Sequence, residues 1–155
     1  MALFLSTFTN KIDGKGRVSV PAPFRAAMVG QGWNGVIAFP SFVNNCIEGC
    51  DLAYMERLSQ SIDEFAPFSD EHDGFITSIV SKSHQLSFDS GGRIQLPQKL
   101  IDHAALGEQA TFVGRGKTFQ VWEPEAYAAF EDRVGDIAFR EREKLRLPGL
   151  AGPER

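Results

Sequence analysis

Asp13-Gly14-Lys15-Gly16-Arg17-Val18-Ser19-Val20-Pro21 returns, seventy-six positions later, as Asp89-Ser90-Gly91-Gly92-Arg93-Ile94-Gln95-Leu96-Pro97. The Asp, the second Gly, the Arg and the Pro are identical, and the two apolar positions between Arg and Pro are similar. A motif repeated at this distance implies two copies of one supersecondary unit. Read physically, an Asp opens a Gly-rich turn, and the Arg leaves that turn on an alternating strand that Pro stops. Gly14, Gly16, Gly91 and Gly92 give the turns their backbone freedom. Asp13 and Asp89 are expected to structure the turns, by capping them or pairing with the Arg that follows.

The flanks extend the unit. Phe8 to Asp13 alternates apolar and polar residues, as a half-buried strand does. After Pro21, Phe24 to Met28 reads as a short helix, Gly35 to Phe39 as a strand, Asn44-Asn45 as a turn and Cys46-Ile47 as a short strand. Asp51 is a candidate N-cap for a helix on which Leu52, Met55, Leu58, Ile62 and Phe65 share a face before Pro67. Ser69 to Gly74 reads as a linker or a second cap, and the state of Phe75 to Ser81 stays open. The second half follows in the same order: a strand at Gln85–Asp89, the turn, Arg93 to Leu96, a helix from Gln98 to Ala105, strands at Ala110–Gly114 and Thr118–Trp122, and a helix from Pro124. Tyr127 corresponds to Tyr54, so the repeat runs through a whole β-α-β-β-α unit. Arg140 to Arg146 reads as a solvated helix, and Leu147 to Pro153 as a mobile tail. The expected organisation is repeat 1 over 7–54, a helix and linker over 55–82, repeat 2 over 83–126, and a C-terminal helix and tail over 127–155.

The chain has 155 residues, 43% of them apolar, which is enough for a core. No stretch approaches the roughly 20 apolar residues of a membrane span. The first residues lack the basic region of a signal peptide, so the chain reads as cytoplasmic. Its net charge is −4, yet residues 11–25 carry +3 and residues 82–99 carry +2, leaving −9 on the remainder. The repeats are basic islands on an acidic body, and local potential rather than net charge draws a polyanion to a surface.

Other chemistries find little support. Cys46 and Cys50 have neither the spacing of a zinc or thiol-redox motif nor a nearby His, and read as small apolar residues. His72, His84 and His103 are scattered. No carboxylate pair, serine elbow or phosphate loop is recognisable. Trp33 and Trp122 read as core or interface residues. No metal, cofactor, small-molecule substrate or reaction is expected.

Taken in order, Asp13 to Pro21 with Phe24-Arg25, Asp89 to Pro97 with Leu100, then Gly107, Phe112-Val113-Gly114 and Phe119-Gln120-Val121-Trp122 resemble the MraZ family of bacterial transcriptional regulators, over about residues 1–135. The resemblance implies an α+β fold in which two tandem SpoVT/AbrB-like repeats interleave their hairpins into a pseudo-twofold barrel with flanking helices. It also implies a ring-shaped homo-oligomer. The function it implies is nucleoid-associated: binding double-stranded DNA at tandem promoter repeats, and repressing its own promoter and the division and cell-wall gene cluster.

On that reading Arg17 reaches a major groove, where an Arg can donate two bonds to one guanine. Lys15 adds a base or phosphate contact at the tip. Lys11 and Arg25 anchor phosphates, which position without reading sequence. Arg93 is the counterpart of Arg17. Gly91 stands where Lys15 would be and Ile101 where Arg25 would be, so the second hairpin is the weaker contact. Three alternatives stand beside this reading: a scaffold with the same fold that has lost DNA affinity, a small metal or thiol enzyme using Cys46 and Cys50, and a different SpoVT/AbrB relative such as an antitoxin.

Overall fold

A computed structural model of the chain describes residues 3–149. In chain order these form β1 (Thr7–Lys11), β2 (Arg17–Ser19), α1 (Ala22–Ala27), β3 (Gly35–Pro40), β4 (Ile47–Cys50), α2 (Leu52–Ile62), α3 (Asp70–Ser78), β5 (His84–Ser87), β6 (Arg93–Gln95), α4 (Gln98–His103), β7 (Gln109–Gly114), β8 (Phe119–Trp122) and α5 (Pro124–Arg140). Short 3-10 turns lie at Val80–Lys82 and Arg142–Lys144. The chain divides into two compact units, Met1–Pro124 and Glu125–Arg155.

In the first unit the order of elements repeats: hairpin, short helix, two strands. Six strands form one antiparallel sheet in the order β1-β7-β8-β4-β3-β5, and β2 pairs with β6 as a separate two-stranded ribbon. The fold is α+β, with helices flanking antiparallel strands. Its hydrogen bonding makes an open sheet facing a ribbon rather than one closed ladder. The hairpins are exchanged. β1 of the first repeat pairs with β7 of the second, while β5 of the second pairs with β3 of the first. A pseudo-twofold axis relates the halves. It passes between β4 and β8, where Glu48 lies opposite Gln120, and through the ribbon, where Val18 lies opposite Ile94. Two backbone bonds repeat the symmetry. The Val20 amide donates to the Gly92 carbonyl at 3.1 Å, and the Leu96 amide to the Gly16 carbonyl at 2.9 Å.

This exchange explains why β3 is an unbroken apolar run. Val36 and Ala38 face a core shared with the ribbon, which supplies Val18 and Ile94, and with α1 and α4, which supply Phe24 and Leu100. Ile37 and Phe39 face a second core closed by Ile62 of α2 and Ile79. A strand buried on both faces cannot show the alternation of a half-buried one. Within the first core five phenylalanines from both repeats meet. Phe24 lies edge-on to Phe4 at 5.3 Å and to Phe8 at 5.6 Å, and against Phe119 at 5.2 Å and Phe112 at 6.4 Å between ring centroids.

Two segments differ from the sequence reading, and a third falls to one of its two alternatives. α2 stops at Ile62, short of Phe65, because tight turns follow it, and the Phe65 ring instead meets Phe75 of α3 at 5.3 Å. Asp51 does cap α2, its carboxylate accepting from the Tyr54 amide at 2.8 Å. Ser69 is an N-cap, accepting from the His72 amide at 3.1 Å, and opens α3 where a linker was the alternative. Asp70, Glu71 and Asp73 sit in the first turn of α3, where the helix dipole favours negative charge. In the second unit α5 ends at Arg140 and a 3-10 turn replaces the helix expected to Arg146. There Lys144 pairs with Glu141 at 2.6 Å. Residues 147–149 are exposed, and the rest of the expected tail, from residue 150, lies outside the described residues. No helix among the described residues is long and apolar enough to cross a membrane.

Candidate nucleic-acid interface

Each hairpin turn is organised around one carboxylate. Asp13 Oδ1 accepts from the Lys15 and Arg17 amides, both at 2.9 Å, and Asp13 Oδ2 accepts from Arg17 Nε at 2.7 Å. Asp89 repeats the pattern with the Gly91 and Arg93 amides at 2.9 Å and with Arg93 Nε at 2.9 Å. The turn then closes through the Gly16 amide to the Asp13 carbonyl and the Gly92 amide to the Asp89 carbonyl, each at 3.0 Å. Gly16 has φ +80° and Gly92 φ +78°, the left-handed region that only glycine enters at little cost. Gly14 and Gly91 have no such requirement, and Ser90 fills the position equivalent to Gly14.

Three amide or guanidinium donors on one carboxylate favour its charged form. The backbone bond from Arg17, first, and then its side chain hold the Asp13 carboxyl at about 2. The same donors, led by the Arg93 amide, lower the Asp89 carboxyl. An unfolded Asp titrates near ~3.9. The turn is therefore fully held above that pH, and its contribution is lost as pH falls through about 2. Carbon-13 titration of the side-chain carboxyls is expected to give Asp13 a midpoint near 2, against ordinary values for exposed aspartates. A midpoint near ~4 would mean that the Asp13 cage is not formed in solution.

The turns aim the ribbon outward. On β2 and β6, Val18 and Ile94 point into the core, so Arg17 and Ser19, with Arg93 and Gln95, occupy the opposite face. Arg17 lies opposite Gln95, and Ser19 opposite Arg93. The bond to Asp13 uses Arg17 Nε, and the two terminal amines make no hydrogen bond among the described residues. Arg93 also reaches across the axis, its Nη1 lying 3.8 Å from Asp13 Oδ2. Both arginines keep more than a third of their side-chain surface exposed.

Five basic residues stand out in the sequence, and the structure gathers three of them. Lys11, Arg17 and Arg93 line one shallow depression beside Asp13 and Glu108. Lys15 is exposed at the tip and borders a neighbouring groove with Gln95 and Gln98. Arg25 is elsewhere. Its guanidinium donates to the Val20 carbonyl and lies so close under the second hairpin that a Cβ on Gly92 would meet it at 2.6 Å. Ile101, its counterpart, lies against Gly16 beneath the first hairpin in the same way. Sequence reasoning missed Gln95 and Glu108. The repeat pairs Gln95 with Ser19, a usable signal. Glu108 comes close only through the strand exchange, which joins the Ile12 amide to the Glu108 carbonyl at 2.8 Å.

The cysteines lie away from this surface. Both are buried and free, and burial pushes each thiol up to about 12, where it stays protonated and unreactive. Among the described residues no three His, Cys, Asp or Glu side chains come together to hold a metal ion.

The sequence as a whole has close relatives among known proteins. A transcriptional regulator MraZ from Pelagibacter ubique is 54% identical over 93% of this chain and 93% of its own length. The chain belongs to the MraZ family. Proteins of the same name from Rickettsia canadensis and Rickettsia rickettsii are 46% and 47% identical, over 94% of this chain and 98% of theirs. The family model described as "MraZ protein, putative antitoxin-like" matches residues 79–147, which begin before the second repeat and run beyond α5. The matched MraZ proteins are named transcriptional regulators, which supports a regulatory role for this member of the family.

Proposed function

We propose that this MraZ protein regulates transcription by binding double-stranded DNA through the outer face of the β2–β6 ribbon. The observation that carries the reading is the ribbon itself, which presents Arg17 and Arg93 on one outward face about a pseudo-twofold axis. A major groove admits a two-stranded ribbon, and Arg is the commonest reader of guanine there. Arg17 reads a base, held in orientation through its Nε. Lys11 and Lys15 contact phosphates. Arg93 contributes less, since Gly91 leaves its tip without a second cation. Arg25 supports the second hairpin from beneath, and its part in binding is to hold that tip in place.

The operator on this reading is a set of short tandem repeats in the chain's own promoter, ahead of division and cell-wall genes, and occupancy represses them. Assembly into a ring would present many first hairpins at once, so that modest single contacts add up through effective concentration. The acidic total charge, with Asp13 and Glu108 in the depression, favours one competing reading, a scaffold of the same fold without DNA affinity.

Fluorescence anisotropy with DNA from upstream of the gene, beside a scrambled duplex and over a range of salt, separates the two. Selective binding that weakens steeply with salt is the expected result. Lys15→Gln is expected to weaken both duplexes alike and to lower the salt slope by about one. A folded protein that binds neither duplex would be the scaffold.

A further inference from the structure

The first unit carries a second basic surface, on the side of α4 turned away from the first hairpin. Ile101 faces Gly16, whereas Lys99 and His103, one turn apart on the opposite face of the helix, line a separate pocket of about 320 Å³. Lys82 from the 3-10 turn and His84 from the start of β5 complete its wall, with Ser81 beside them.

Four basic side chains thus converge from three elements, and no carboxylate lines the pocket. None of the four is in an ion pair among the described residues. The nearest acid along the helix, Asp102, is engaged by Gln98 at 2.8 Å. His103 Nε2 donates to the Asn44 carbonyl at 3.3 Å, which fixes the ring at the pocket's edge. In a chain with 20 acidic and 16 strongly basic residues, a carboxylate-free pocket that holds two lysines and two histidines is a local reversal of charge. Such convergence focuses the field and is relieved by a compact anion.

We propose that this pocket binds a phosphate group. Lys82 and Lys99 supply point charges, which suit a tetrahedral oxyanion approached from several sides. The Ser81 hydroxyl and the His84 ring add donors that need carry no charge. A second pocket of about 250 Å³ shares Lys82 and His103 and is bordered by Phe42 and Asn44, so the organic part of a phosphate ester has space beside the anion. The site is separate from the hairpin surface and does not depend on its function.

The test is calorimetric titration of inorganic pyrophosphate into the full chain, into a Lys82→Gln/Lys99→Gln variant and into Arg17→Gln, with circular dichroism confirming that each is folded. A duplex of unrelated sequence at low salt forms the second arm. Saturable pyrophosphate binding, unchanged in Arg17→Gln and at least tenfold weaker in the double variant, assigns the pocket to a free phosphate ligand. No pyrophosphate binding, with a tenfold loss of duplex affinity in the double variant, assigns it to DNA backbone phosphate. If the double substitution changes neither arm in a folded protein, the proposal is overturned.

Discussion

Phe24→Ala is expected to destabilise the protein by about 3–5 kcal/mol, the range for removing a fully buried aromatic ring. Phe24 has no exposed surface and is the only ring in contact with all four other members of the phenylalanine cluster among the described residues. Its partners Phe112 and Phe119 belong to the second repeat, so the cavity would open at the seam between halves rather than inside one of them. Against a typical total of ~5–15 kcal/mol this is a large share. Urea unfolding of the variant should show a lower midpoint with the slope unchanged, because one cooperative unit is being weakened. Two separate transitions would mean that the halves fold independently, which the exchanged strands argue against. Leu100 occupies the equivalent place on α4 and is just as buried, but it lacks the ring contacts, so Leu100→Ala is expected to cost less.

Arg17→Ala is expected to remove sequence discrimination while leaving the fold intact. A good Arg–guanine pair is worth about 1–3 kcal/mol, so affinity for the operator should fall roughly 5- to 150-fold and affinity for scrambled DNA much less. The stability cost is small by comparison, because an exposed ion pair such as that with Asp13 contributes ~0–1 kcal/mol. Arg93→Ala should have a smaller effect on the operator, since the tip beside it carries Gly91 instead of a lysine. Anisotropy titrations of the two variants against both duplexes read this ordering directly. Equal losses from Arg17 and Arg93 would mean that both hairpins read DNA in the same way. No loss from Arg17→Ala would reduce Arg17 to a structural partner of Asp13.

What could be read from the sequence follows from how local each signal is. The hairpins were legible because Asp, Gly and Pro mark turn and strand ends within nine residues, and because the same marks occur twice. The sequence reading treats the four turn glycines alike, whereas only Gly16 and Gly92, at the position identical in both copies, have positive φ. α3 was not legible, since Gly74 interrupts it, acids fill its first turn and its apolar spacing is weak. Nor could the sequence tell which strand lies beside which. Thr9 meets Thr111, hydroxyl to hydroxyl at 2.9 Å, although 102 residues separate them. The same long-range exchange decides the candidate site. It brings Arg93 toward Asp13 and Glu108 toward Lys11, and it places Arg25 beneath Gly92. A charge count along the chain sees Arg25 as one more cation near the first turn. In space it is the support of the other one.

The exchanged pair of hairpins sits on one chain, so its two members are free to differ, and they do: Lys15 answers to Gly91, and Arg25 to Ile101. An object made of two identical chains looks the same from either end and is matched by a palindrome. This one has a head and a tail. Any DNA element it grips inherits that polarity, and repeats placed head to tail would each meet the same end of the protein. Inverting a single element within its array should then disturb binding, although not one base pair of its composition has changed.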